Sequence, residues 1–335
     1  LKVEPVLWAQ ISGISFFALT VFFSWKAAYK IFKSIIPTLL ANLLLITNYT
    51  MICYATGGLE TMMQTFFLTL IIYLYLKIVS DEELEIKKVL ILISLISSFA
   101  ILTRLDSIIP FSILYIFILF RLFKDNRKAE YYFFLFIPVV VITGFWFTWK
   151  LYYYGNLLPN SYYIKLGEGL LFNVSGIKYI FRFFHWYMLW PFILIGLIVH
   201  LFFKKKIDGN LIPIILIIII WIFYIYYAGG DFMEFRFFVP IIPILIIVIS
   251  FLIYNAVSEF SKPVKVILVT ISFIILIFSS FLHSKNFTGI TEDNYLDSVE
   301  ALSTFYGYYP ENNWDRIGKI LKNELGSEEL LKGLK

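Results

Sequence analysis

The sequence predicts an all-α polytopic membrane protein of about ten transmembrane helices, and three observations carry that prediction. Sixty per cent of the 335 residues are hydrophobic and 15% are charged, with a mean hydropathy of +0.82, which excludes an ordinary soluble domain. The apolar residues gather into ten runs of a length suited to about 30 Å of hydrocarbon. The connections between runs alternate between strongly basic and not, as the positive-inside rule requires of a multi-pass chain.

Taken in order, the spans are 6–25, 34–53, 61–79, 89–105, 108–123, 131–152, 186–203, 211–227, 237–254 and 264–282. Five connections carry the positive charge: Lys26, Lys30 and Lys33; Lys77, Lys87 and Lys88; Arg121, Lys124, Arg127 and Lys128; Lys204 to Lys206; and Lys262 with Lys265. These five are expected in the cytoplasm, and the others outside it. The net charge of +5 is thus accounted for by membrane anchoring, and no nucleic acid partner is implied. Residues 1–285 form the transmembrane domain. Residues 286–335 turn polar and read as an extracytoplasmic tail that begins a soluble domain, with a short helix around Trp314 to Leu321. The first span runs from outside to inside with nothing before it, so the chain is expected to lack its true N-terminus, and the short tail suggests the same at the C-terminus.

A lone Cys53 excludes an internal disulfide or a cysteine metal cluster. His185, His200 and His283 stand singly without ligand spacing and read as interfacial or packing residues. The polar residues that are not basic anchors fall on the outward connections. The first such segment is Tyr54-Ala-Thr-Gly-Gly-Leu-Glu60-Thr61, where two glycines permit a tight turn and Glu60 suits either a helix start or a site. The second is Thr103-Arg104-Leu105-Asp106-Ser107, which suits a local Arg104–Asp106 pair with Asp106 capping the next helix, or a site. The third, 153–185, opens with Tyr154-Gly-Asn156-Leu-Leu-Pro-Asn160-Ser-Tyr-Tyr163-Ile-Lys165, rich in groups that bind sugar hydroxyls or phosphate. It continues into an amphipathic pattern, with Leu170, Val174, Ile177, Phe181 and Phe184 on one stripe, expected to lie in the interface. The fourth, Gly229-Gly230-Asp231-Phe-Met-Glu234-Phe-Arg236, sets three charges between two apolar runs. Each charge would cost about 2.5 to 3.5 kcal/mol at the centre of a span. One composite site on the outer face explains why all four clusters share a side.

These four motifs, in this order and spacing across residues 5–240, resemble the membrane-embedded GT-C glycosyltransferases, and among them are most similar to the actinobacterial terminal β-arabinofuranosyltransferases and related bacterial proteins. The resemblance implies a GT-C-like helical fold in a bacterial cytoplasmic membrane. It also implies inverting transfer of a sugar from a polyprenyl-phosphate donor to an envelope glycan on the extracytoplasmic face. Glu234-Phe235 stand where the relatives usually carry His-Gly. The carboxylates thought to act as base in the superfamily follow the first membrane helix, which the resemblance places upstream of Leu1.

The residue chemistry agrees with such a transfer, which needs a carboxylate near the acceptor hydroxyl and cationic donors for the departing phosphate. Arg104, Lys165 and Arg236 are candidates for the phosphate. Asp231 and Asp106 are candidates for base, acceptor binding or metal ligand, and Glu60 joins the binding set. Asn156, Asn160 and Tyr163 would hold sugar hydroxyls. A divalent cation is left open, and no organic cofactor is expected. The alternative readings are a lipid or solute transporter and a noncatalytic envelope protein. Span centres nearly free of charge, and no repeat of the motifs, argue against the transporter.

Overall fold

The computed structural model describes residues 5–80, 85–156, 174–202, 209–231, 233–257 and 260–286. Among them the chain forms α1 (Pro5–Phe32), α2 (Ile35–Ile46), α3 (Tyr49–Thr56), α4 (Thr61–Ser80), α5 (Ile86–Thr103), α6 (Ile108–Lys124), α7 (Ala129–Tyr154), α8 (Val174–Trp186), α9 (Leu189–Phe202), α10 (Ile212–Ala228), α11 (Ile242–Ala256) and α12 (Lys262–Asn286). Eight helical segments are long and apolar enough to cross a membrane, and ten if the bent pairs α2–α3 and α8–α9 each count as one span. The protein is an all-α polytopic membrane protein. Hydroxyls inside the helices, such as Thr65, Thr69, Ser97 and Ser98, donate to carbonyls four residues back, so they enter the bundle without orphaned groups.

Three expected elements differ, and each difference shapes the polar end. The second span is not one helix: α2 and α3 meet at 56°, broken at Thr47 and Asn48. Asn48 caps α3 by accepting from the Met51 N–H at 3.0 Å. Ser280 of α12 takes up two of the freed backbone groups, donating to the Thr47 carbonyl and accepting from the Tyr49 N–H, both at 2.8 Å. Broken backbone is tolerated at membrane depth only where such partners exist.

The ninth span, expected to start at Phe237, runs over Val239–Ala256, and its α-helix starts only at Ile242. Residues 234–241 instead form turns, with Phe235, Phe237, Phe238, Val239 and Ile241 all buried. Pro240 and Pro243 lack the N–H that a continuing helix needs and sit at the starts of the 3-10 turn and of α11.

The stripe read on the amphipathic segment faces outward except at its last member, Phe184. Val174, Ile177 and Phe181 are exposed, whereas Gly176, Tyr179, Phe183 and Phe184 are buried. The helix carries apolar residues on more than one face, and the face with the small Gly176 admits the closest neighbour: a Cβ there would overlap the Tyr226 carbonyl of α10. α8 turns 84° from α9, so the exposed stripe suits the interfacial lipid it was expected to meet. Residues 157–173 and 287–335 lie outside the described residues, and with them Leu170 and nearly all of the expected tail.

Antiparallel packing sorts the connections into two ends. At one, Lys30 reaches Ser80 at 2.9 Å and Lys87 pairs with Glu130 at 2.9 Å. At the other, Glu60, Arg104, Asp106, Glu234 and His283 come into contact through the links described below.

Candidate functional site

Arg104 leaves α5 in an extended conformation (φ −149°, ψ 126°), and a single 3-10 turn, Leu105–Ser107, then leads into α6. This tight reversal folds the guanidinium back onto Asp106. Nη2 donates to Asp106 Oδ2 at 2.8 Å, Nε lies 3.3 Å from both Asp106 oxygens, and Nη1 reaches Glu60 at 2.9 Å. Glu60 stands after the Gly57-Gly58 turn, where Gly58 adopts φ +69°, so the first two outward segments meet through this arginine. The local pair expected from sequence is present, but Asp106 makes no helix cap. It accepts instead from Gln64 of α4 at 2.7 Å and Tyr224 of α10 at 3.1 Å. Burial works against the Arg104 charge. The hydrogen bond and charge of Asp106, with Glu60 beyond, more than offset this and hold the guanidinium protonated above its ordinary value.

The fourth segment begins with a Schellman closure of α10. The Gly230 N–H bonds the Ile225 carbonyl and the Gly229 N–H the Tyr226 carbonyl, both glycines having φ near +80° (+76° and +79°). A Cβ on Gly230 would lie 2.7 Å from the Tyr179 ring, so α8 packs directly on this turn. Asp231 and Arg236 then pair across the loop with Oδ2 and Nε 2.5 Å apart. The N–H does not point along that contact, which makes it an ion pair rather than a linear hydrogen bond. Asp231 is nearly covered and Arg236 is 21% exposed.

Phe237 joins the two halves. The guanidinium carbon of Arg104 lies 6.0 Å from its ring centroid and that of Arg236 5.8 Å. Its backbone is held by Trp221 Nε1, which donates to the carbonyl at 2.7 Å, and by its own N–H, which donates to Tyr179 Oη at 3.2 Å. Two cations, three carboxylates and one aromatic ring therefore form a single cluster built from the first, second and fourth outward segments.

Beneath this cluster lies a network that sequence reasoning missed. Glu234 is fully buried, and its Oε1 accepts from Thr50 Oγ1 at 2.6 Å and pairs with His283 Nε2 at 2.7 Å. The Tyr54 hydroxyl donates to its carbonyl at 2.7 Å, and Tyr187 bonds both Thr50 Oγ1 and the Thr50 N–H. His283, read as an interfacial or packing residue, is fully buried against this carboxylate. Its pairing follows from the packing of α12 on α3, which no sequence spacing reveals. Phe235 holds a left-handed φ of +37° and stacks on the His283 ring at 5.3 Å.

The third segment is described only at its start. Asn156 is exposed just after α7, and it makes no hydrogen bond to the cluster among the described residues. Asn160, Tyr163 and Lys165 lie outside the described residues. Gln64, Tyr224, Phe237 and Thr50 carry no site motif in the sequence, and Glu234 and His283 stand there without a site role. The one signal available for them was the position of each near an outward end of its span. Among the described residues no three His, Cys, Asp or Glu side chains gather as metal ligands.

An apolar cavity lies elsewhere. It has a volume of about 420 Å³ between α8, α9, α10 and α11 and is lined by Phe184, Ile193, Ile218, Ile222 and Leu245 among other apolar residues. Such walls cannot hold a sugar or phosphate, but they suit a hydrocarbon chain.

The chain matches the model of the Alg9-like mannosyltransferase family over residues 13–305, and it belongs to that family. It is accordingly a membrane glycosyltransferase, a class that uses a lipid-linked sugar donor and a glycan acceptor. No curated protein and no solved structure matches the chain.

Proposed function

We propose that the protein transfers a sugar, with inversion, from a polyprenyl-phosphate donor to a cell-envelope glycan on the extracytoplasmic face of a bacterial membrane. The observation that carries this reading is the convergence of Arg104 and Arg236 on Phe237, at the end of the bundle opposite the basic loops. Two fixed guanidiniums in a partly desolvated site stabilise the charge that develops on a departing phosphate. The acceptor hydroxyl attacks the anomeric carbon, the bond from that carbon to the phosphate oxygen breaks, and the lipid phosphate leaves with the electron pair.

Arg236 turns to the phosphate on donor binding, which frees Asp231 to accept the hydroxyl proton. Asp106 already accepts from Arg104, Gln64 and Tyr224, so its oxygens are engaged and it serves to hold Arg104. Glu60 orients the outer edge of Arg104. Asn156, Asn160, Tyr163 and Lys165 contribute sugar and phosphate contacts from the third segment. The prenyl chain occupies the apolar cavity.

The family description favours mannose as the sugar, and the motif resemblance favours arabinofuranose. Membranes containing the full chain, given labelled polyprenyl-phosphate mannose or polyprenyl-phosphate arabinofuranose, test both. Transfer from one donor, lost in R104Q and R236Q, is the expected result. Transfer that survives both substitutions would overturn the reading.

A further inference from the structure

Glu234 and Arg236 are two residues apart and face opposite ways: Glu234 is fully enclosed, and Arg236 reaches the cluster with 21% of its side chain exposed. The residue between them makes that reversal. Phe235 sits at φ +37°, a region that an L residue other than Asn, Asp or Gly seldom occupies. Such strain persists only where the surroundings over-determine it. Here they do. Glu234 is tied by side chain and backbone to Thr50 and Tyr54 of α3 and to His283 of α12, and the Phe235 ring is packed on His283, Tyr179 and Phe183. On the far side, the Phe238 N–H closes back on the Phe235 carbonyl at 2.8 Å.

The hydrogen bonds around Glu234 have one consistent direction. The Thr50 N–H donates to the Tyr187 oxygen, the Tyr187 hydroxyl donates to Thr50 Oγ1, and Thr50 Oγ1 donates to the carboxylate. A buried charged group of this kind is a poor device for stability, because well-packed apolar side chains of the same volume serve as well or better. It is a good device for holding one geometry.

We propose that Glu234 is the positioning residue for Arg236: the Glu234–His283 pair pins the bend at Phe235 so that the Arg236 guanidinium stands ready for the lipid phosphate. This inference rests on the proposed role of Arg236 in binding that phosphate. Glu234 itself touches no substrate. It links the phosphate site to α3 and α12.

The test is a double-mutant cycle on the full chain in detergent, with polyprenyl monophosphate as the probe and the ligand-induced rise in melting temperature as the binding readout. E234Q keeps the shape of the side chain and is expected to bind the probe about tenfold more weakly. R236Q is also expected to weaken binding. The double variant should bind no worse than R236Q alone, because Glu234 acts through the arginine. A full additional loss in the double variant, or unchanged binding in E234Q, would overturn the inference and leave the function intact. Unchanged binding in R236Q would instead remove the phosphate assignment, and the inference with it. Should E234Q fail to fold, H283Q and H283F carry the same test. H283Q retains a donor and should bind nearly as the parent does, and H283F should not. Equal affinity in those two would overturn the inference.

Discussion

The two ends of the bundle are both charged, yet their charges are held differently. At the basic end the ion pairs are short-range or exposed: Arg121 with Asp125 one turn away, Lys88 with Glu85, and Lys87 with Glu130, both partners of the last pair more than two-fifths exposed. At the other end Arg104, Asp106, Asp231 and Glu234 are largely or wholly covered, and their partners lie up to 184 residues away. The first arrangement fixes orientation in a membrane and tolerates change, since exposed pairs contribute little to stability. The second demands that several helices pack in one way, and any missing partner leaves a charge stranded in a dry environment.

The comparison breaks most visibly at Glu234. Glu234→Ala leaves His283 and Thr50 without their side-chain acceptor, and unfolding in detergent should show a loss of about 3 to 5 kcal/mol. Next come the arginines, where the effect moves from stability to turnover. Arg236→Gln or Arg104→Gln should lower the rate of sugar transfer by about 100-fold or more while the protein remains monodisperse and folded. Arg104→Lys should not restore the rate, because an ammonium cannot meet Asp106 and Glu60 in the forked geometry seen here.

Gly230→Ala has a smaller effect on stability, of order 2 kcal/mol, from its positive φ and its contact with Tyr179. Transfer should fall with it, since the turn carries Asp231. Tyr224→Phe removes one of several donors to Asp106 and should destabilise by about 1 kcal/mol, with a few-fold loss of transfer. Lys87→Ala at the basic end should leave both the melting temperature and the transfer rate unchanged. A large effect there would mean that the two ends are not as different as their geometry says.

Local chemistry was legible. The Gly229-Gly230 closure, the Gly57-Gly58 turn and the Arg104–Asp106 pair all involve residues within a few positions of one another, so spacing alone suggests them. The apolar spans were legible for the same reason, since each is a continuous run. The break at Asn48 was not, because two of the backbone groups it frees are taken up by Ser280, more than 200 residues later. In the amphipathic segment more than one face is apolar: the exposed stripe was legible, and which other residues pack, Tyr179 and Phe183 among them, is decided by the neighbouring helix. Gln64, Tyr224 and Thr50 look unremarkable in their helices, where isolated polar residues ordinarily bond their own backbone.

The sequence by itself determined that the chain crosses a membrane many times, which ends of its helices are basic, and that the first, second and fourth polar motifs belong to the other end. Those properties follow from run length and charge placement, which the bilayer reads directly. Only the tertiary structure decided that Arg104 and Arg236 meet at one phenylalanine and that Glu234 is buried against His283. Which helices touch, and on which faces, is set by the packing of the whole bundle rather than by any stretch of it.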